Sequence, residues 1–269
     1  MAKEEMFAAS DAYERFMGRW SRRLAPLLVR FAAVGKPAAV LDVGSGTGAL
    51  AFAIAEAIPS AQVTGVDPSS AYVREAQARS QTDRVRFLEG DGQALQLHDT
   101  AFDAALSMLV LNFIPEPAKA LREMVRVTRP GGIVAAAVWD YGDGMEMLRL
   151  FWDEAVALDP AIAARDVSSM PLSRRGELAA LWRAAGLEQV EEQPLGIELP
   201  FATFDDYWSP FLGGQGPAGA YVTSLSEAPR GALALRLRDR LLKGGQDRAF
   251  TLRARAWAAR GVVPARTAA

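Results

Sequence analysis

Ten residues, Ala39-Val40-Leu41-Asp42-Val43-Gly44-Ser45-Gly46-Thr47-Gly48, constrain this chain more than any other stretch. The apolar run reads as a buried strand, and three glycines at alternate positions lead into a helix over 49–57. Glycine turns tightly and lets a ligand lie against the backbone without meeting a β-carbon. In open α/β sheets such a site lies beyond the carboxyl end of the strand. A glycine-rich turn that binds nothing would satisfy the same residues, so the surrounding pattern has to decide.

That pattern alternates short apolar runs with helical stretches. Strands are expected at Ala38–Val43, Gln62–Asp67, Val85–Gly90, Phe102–Met108 and Ile133–Trp139, with helices near 47–58, 69–79 and 117–128. Strand–helix alternation predicts a parallel sheet covered by helices on both faces. An amphipathic helix is expected over 10–31, with Leu24, Leu27, Leu28 and Phe31 on one face and breaks near Gly18 and Pro26. Further on, helices are expected at Met145–Leu158 and Arg174–Ala185, a sixth strand at Leu187–Leu199 and a last one at Arg248–Ala258. Two more acids end strands in the glycine loop's neighbourhood. Gly65-Val66-Asp67-Pro68 places a carboxylate where it can accept both hydroxyls of a ribose. Glu89-Gly90-Asp91-Gly92 offers another that can accept from an adenine amino group. Singly, each acid is as well read as a loop cap.

These blocks resemble the class I S-adenosylmethionine-dependent methyltransferases, of the type 11 or ubiquinone/menaquinone-biosynthesis-like branch. The resemblance runs through Val40–Gly48, Val66-Asp67-Pro68-Ser69, Phe87–Leu95, Phe102–Ser107, Leu121-Arg122-Glu123 and Arg129-Pro130-Gly131-Gly132, and more weakly through Tyr13–Arg22. It implies a Rossmann-like, doubly wound, seven-stranded, mostly parallel sheet whose last strand is antiparallel. It implies one domain over 1–269, with an N-terminal helical lid at 1–34, a cofactor-binding core at 35–140 and a helical substrate cap at 205–245. S-adenosylmethionine is the implied cofactor. Gly44 and Gly46 would approach its methionine part, Asp42 would help hold its amino group, and Asp67 would take the ribose. Pro68 or Ser69 would lie against the adenine, Asp91 and Gly92 at its edge, and Ser107 beside the methionyl group. Tyr13, Trp20 and Ser21 are candidates on the lid, and equally plain packing residues. A nicotinamide-binding fingerprint fits less well, because Gly44-x-Gly46-x-Gly48 is followed by Ala49 instead of the required spacing. An acid beside the loop would also repel a pyrophosphate and attract an ammonium. A catalytically silent binder of the same fold remains the other alternative.

Composition narrows the chemistry. The chain has no cysteine and one histidine, His98, which excludes thiolate metal sites and cysteine nucleophiles and leaves no set of histidine ligands, so no metal is expected. His98 lies in a connection expected to face solvent. Where the family often carries histidine after the fourth strand, this chain reads Leu109-Val110-Leu111-Asn112-Phe113. Asn112 can orient a polar acceptor but is no base near neutral pH. Asp140 and Tyr141, after the fifth strand, are the other catalytic candidates. Phe204, Tyr207, Trp208, Phe211 and Tyr221 would wall a pocket for a small, partly apolar acceptor, or else form the core of a helical cap. Over 227–269 there are ten basic residues against three acidic, which reads as solvated surface or as an attractor of anions. A total charge of −2 argues against a nucleic-acid partner. Without a signal-like start or a membrane-length apolar stretch, a cytoplasmic protein is expected, and a homo-oligomer is left open.

Overall fold

The computed structural model describes residues 14–35 and 38–265. Seven strands form one sheet in the order β3-β2-β1-β4-β5-β7-β6. They are β1 (Ala39–Val43), β2 (Gln62–Asp67), β3 (Val85–Glu89), β4 (Phe102–Met108), β5 (Thr128–Trp139), β6 (Glu188–Phe201) and β7 (Phe250–Val262). The first five are parallel to one another, and β7 lies antiparallel to β5, with Ala137 opposite Ala258. The doubly wound sheet expected from the sequence is therefore the one observed. Its strand order reverses between β1 and β4, the place where such sheets bind ligands at their carboxyl ends.

Central strands are buried on both faces, which is why they read as continuous apolar runs. Val40, Leu41, Leu106 and the run Val134–Val138 are almost without solvent exposure. β7 alternates as expected, with Leu252, Ala254 and Ala256 inward and Thr251 and Arg253 outward. It extends past Ala258 to Val262 because its pairing with β5 continues to Ile133. β5 starts five residues earlier than the apolar pattern suggested. Register slips between Phe102 and Ala104, and Arg129–Gly132 fill the bulge.

The helices include α1 (Arg19–Ala32), α2 (Ala49–Ala57), α3 (Ser70–Arg79), α4 (Pro117–Val127), α5 (Glu146–Leu158), α6 (Glu177–Ala184), α7 (Phe204–Trp208), α8 (Gly216–Ser224) and α9 (Glu227–Leu242). A short π-helical turn, Glu14–Gly18, precedes α1. The expected break at Gly18 is thus a change of helix type, whereas α1 runs straight through the expected break at Pro26. Pro26 is exposed, so water can serve the carbonyl that its ring leaves unbonded.

Described residues fall into two compact units. One draws on 21–35, 38–139, 171–195 and 256–265, the other on 14–20, 140–170 and 196–255. In the second, Phe151 stacks on Phe211 at 4.7 Å, and Phe16, Trp152 and Tyr221 close round them. Tyr207 is fully buried and donates from its hydroxyl to the Met147 carbonyl at 3.0 Å. On α9, Arg236 and Arg240 both pair with Glu154 of α5, and Arg240 also reaches Asp153 at 3.0 Å. Part of the basic excess is therefore neutralised within the unit and ties two helices together.

Candidate functional site

The glycine loop is held by its neighbours before any ligand is considered. The amides of Gly44 and Ser45 both donate to the Val66 carbonyl, at 2.8 and 3.0 Å, fastening the loop to the end of β2. The Gly46 amide donates to Asp67 Oδ2 and the Ser69 amide to Asp67 Oδ1, each at 2.9 Å. Asp67 thus braces two turns while keeping further lone pairs on both oxygens. Burial pushes its carboxyl above the ordinary value, and the Ser69 and Gly46 amides work against that shift.

Gly44, Gly46 and Gly48 all have positive φ, but their surroundings differ. A β-carbon on Gly44 would stand 2.5 Å from Val110 Cγ1, and one on Gly48 would meet Phe52 at 2.6 Å. At Gly46 no protein atom lies within 4 Å of that position. Two of the glycines are required by packing, and the third leaves backbone open to a ligand.

Asp42, one residue before the end of β1, is 1% exposed, and neither carboxylate oxygen has a hydrogen-bond partner. Burial raises its carboxyl to about 8, the Ala51 amide opposes from beyond hydrogen-bonding geometry, and the Asp67 charge adds to the rise. Register places Asp42 beside Gly65 of β2 and Leu106 of β4.

The turn after β4 closes over this loop. The Leu109 amide donates to the Ala137 carbonyl at 2.7 Å, Val110 covers Gly44, and Phe113 donates to the Val110 carbonyl at 2.8 Å. Leu109 adopts φ +65°, a conformation a branched side chain seldom takes and one that recurs at functional sites. Inside the turn, Asn112 is 4% exposed with both amide atoms unpaired. Ser107 Oγ, Ser45 Oγ and Trp139 Nε1 are likewise buried without partners. Buried polar groups are normally satisfied, so such a concentration at one end of a sheet marks a place built for a polar ligand. Gly92 completes the rim, and a β-carbon there would stand 2.9 Å from Val43 Cγ1 and 3.7 Å from Ile114 Cδ1. Pro68 is exposed beside it in sequence to Asp67, and Asp91 is exposed with Oδ1 accepting from the Gln93 amide at 2.8 Å.

Of the other candidates, Trp20, Asp140 and Tyr141 belong to the second unit. Tyr13 is outside the described residues. Ser21 is buried on α1, and Trp20 is buried edge-on to Phe201 at 5.3 Å with Arg19 over its ring. Asp140 Oδ2 accepts from Arg255 Nε at 2.9 Å, and Oδ1 accepts from the Asp143 amide at 3.1 Å. Burial alone would raise its carboxyl, but the Asp143 amide and the Arg255 guanidinium hold it below the ordinary value. That makes it a poor proton acceptor. His98 is exposed and lines a cavity of about 410 Å³ with Arg84 and Arg86. This cavity also touches Ala39 and Gln62, the first residues of β1 and β2, so it lies at the opposite end of the sheet from Asp42.

Several motif residues prove to be braces. Glu123 Oε2 accepts from the Leu95 amide at 2.8 Å, while Arg126 bonds Glu123, Asp99 and the carbonyls of Leu95 and Leu97. Asp103 accepts from the Ala39 amide and from Arg129, pinning the start of β1 to the β5 bulge. Val110 and Ser45 were not singled out in the sequence. The apolar run Leu109-Val110-Leu111 after a strand was the available signal for the first.

A protein-family model described as a methyltransferase domain matches residues 41–136. Over 183 residues the chain is 34% identical to malonyl-acyl-carrier-protein O-methyltransferase of Geobacter sulfurreducens, covering 67% of this chain and 66% of that one. Over 116 residues it is 38% identical to demethylmenaquinone methyltransferase of Thermus thermophilus, covering 42% of this chain and 51% of that one. The matches thus span less than two thirds of either relative. In fold, the chain resembles Haemonchus contortus phosphoethanolamine N-methyltransferase 2, solved with S-adenosyl-L-methionine, at a TM-score of 0.58 and 19% identity, covering 98% of this chain and 59% of that one. Among the described residues no helix is long and apolar enough to cross a membrane.

Proposed function

We propose that the chain is a class I S-adenosylmethionine-dependent methyltransferase of the ubiquinone/menaquinone-biosynthesis-like branch, and that it transfers a methyl group to a small, partly apolar or aromatic acceptor. The observation that carries the cofactor assignment is the pair of acids flanking an open glycine. Asp42 has two buried, unpaired oxygens, Asp67 has lone pairs to spare, and Gly46 exposes backbone in a turn that Asp67 braces. A ligand with an ammonium group and a ribose answers both acids, whereas a pyrophosphate brings no positive charge for them to pair with. When bound, the cofactor supplies an electrophilic methyl carbon on a sulfonium sulfur.

The work left to the chain is orientation. Asp42 takes the ammonium, Asp67 the ribose hydroxyls, Gly44 and Gly46 the methionyl backbone, and Ser107 its polar edge. Pro68, Asp91 and Gly92 border the adenine. The Asn112 amide can donate to and accept from an acceptor beside the methyl. Holding two reacting groups in line supplies much of the rate without a base. Asp140, committed to Arg255, is assigned no proton transfer. Tyr141 is buried and is assigned no step.

Equilibrium binding of S-adenosylmethionine and S-adenosylhomocysteine, set beside NADH, tests the cofactor. Tight binding of the first two and none of NADH is expected, and the reverse would overturn the assignment. Release of S-adenosylhomocysteine across a panel of hydroxyl, amine, thiol and carbon acceptors tests the reaction.

A further inference from the structure

Asp42 is an acid with no cation and a single amide, that of Ala51, beside it to support a negative charge. Its oxygens are buried without a donor in hydrogen-bonding geometry, and moving a bare carboxylate out of water costs several kcal/mol, so such a group prefers its neutral form. The elements around it supply no cation. From β2 the facing ionisable group is Asp67, a second acid. β4 presents Leu106 in register, the loop over 44–48 has no ionisable side chain, and the one such residue on α2, Glu56, is exposed. The rise of the Asp42 carboxyl to about 8 agrees with this geometry.

We propose that Asp42 is protonated in the ligand-free protein and gives up that proton when the ammonium of an amino-acid-bearing ligand enters, so that cofactor uptake expels one proton. The inference rests on the cofactor assignment above and adds to it a linkage and a selectivity. The balance is simple: the carboxyl loses a proton to solvent, the ligand keeps its ammonium, and the two opposite charges pair. Adenosine derivatives without an amino-acid part bring no ammonium and leave Asp42 protonated. Affinity for the cofactor must then rise with pH, about tenfold per pH unit up to about 8, and level off above it. Asp67 is not interchangeable in this role, because two amide donors already support its charge.

Calorimetric titration with S-adenosylhomocysteine near pH 7, repeated in buffers of different ionisation enthalpy, counts the protons released. Close to one proton per ligand is expected for the natural chain, and close to none for Asp42→Asn. Titration with 5′-methylthioadenosine, which lacks the amino-acid part, is expected to release none. Binding of S-adenosylhomocysteine without proton release, or equal release in Asp42→Asn, would overturn the proposal and leave the cofactor assignment standing. Failure of S-adenosylhomocysteine to bind would remove the assignment itself. Should Asp42→Asn not fold, the two ligands compared on the natural chain decide the matter, and equal release with both would overturn the linkage.

Discussion

The Gly46 amide donates to Asp67 Oδ2 at 2.9 Å, so the acid proposed to hold the ribose also shapes the loop beneath the ligand. Hydrogen bonds to a charged group contribute about 1.5–3 kcal/mol each. Asp67→Ala removes two of them and both ribose contacts. We expect its affinity for S-adenosylhomocysteine to fall by at least about a hundredfold, with Asp67→Asn intermediate, as read by calorimetry. Unchanged binding in Asp67→Ala would mean that the ribose lies elsewhere.

Gly44 and Gly46 lie two positions apart in sequence and differ in role. Gly44→Ala forces a β-carbon against Val110, in addition to the strain of a positive φ, and should destabilise the fold by about 2–4 kcal/mol. Gly46→Ala meets no protein atom and should cost only about 1 kcal/mol of backbone strain. Its effect should appear instead as lost affinity for S-adenosylhomocysteine. Urea unfolding and calorimetry on the same two variants separate the outcomes, and equal stability losses would contradict the distinction.

A buried acid without donors also bears on stability. Because the folded carboxyl of Asp42 titrates near 8 and an ordinary one near 3.8, its destabilising effect is absent below the lower value. It grows as pH rises between the two and is constant above. Asp42→Asn should therefore match the natural chain in urea near pH 4 and exceed it near pH 8, by about 5 kcal/mol, when both are ligand-free. A gap that narrowed with rising pH would reverse the assignment of the titrating form.

Asn112 invites a trade between stability and turnover. Burying an amide with no partner costs about 1–3 kcal/mol, so Asn112→Leu should raise the melting temperature of the ligand-free protein by several degrees. If the amide orients the acceptor, the same variant should lose kcat/KM about tenfold or more while binding S-adenosylhomocysteine as before. Full turnover in Asn112→Leu would place the acceptor's polar contacts elsewhere.

Much of this was legible because it is local. The strand–loop–helix over 39–57, the acids at 42 and 67 and the inward alternation at 250–256 each declare themselves within a few residues. Glu123 and Asp103 stood in recognisable blocks without revealing their use. Their partners, Leu95 and Ala39, lie 28 and 64 residues away. The candidacy of Asp140 as a base ended in the same way, on an arginine 115 residues downstream.

The sequence by itself determined where strands and helices lie along the chain and which strand end carries the glycine loop, because apolar periodicity and glycine's backbone freedom act between near neighbours. Tertiary structure alone decided which polar groups are spent on the protein and which are left for a ligand. Asp67 and Asp42 are both acids ending neighbouring strands, yet one accepts from two amides and the other from none. That difference depends on where a loop closes in three dimensions and how completely water is excluded, and neither quantity is written in the spacing of residues.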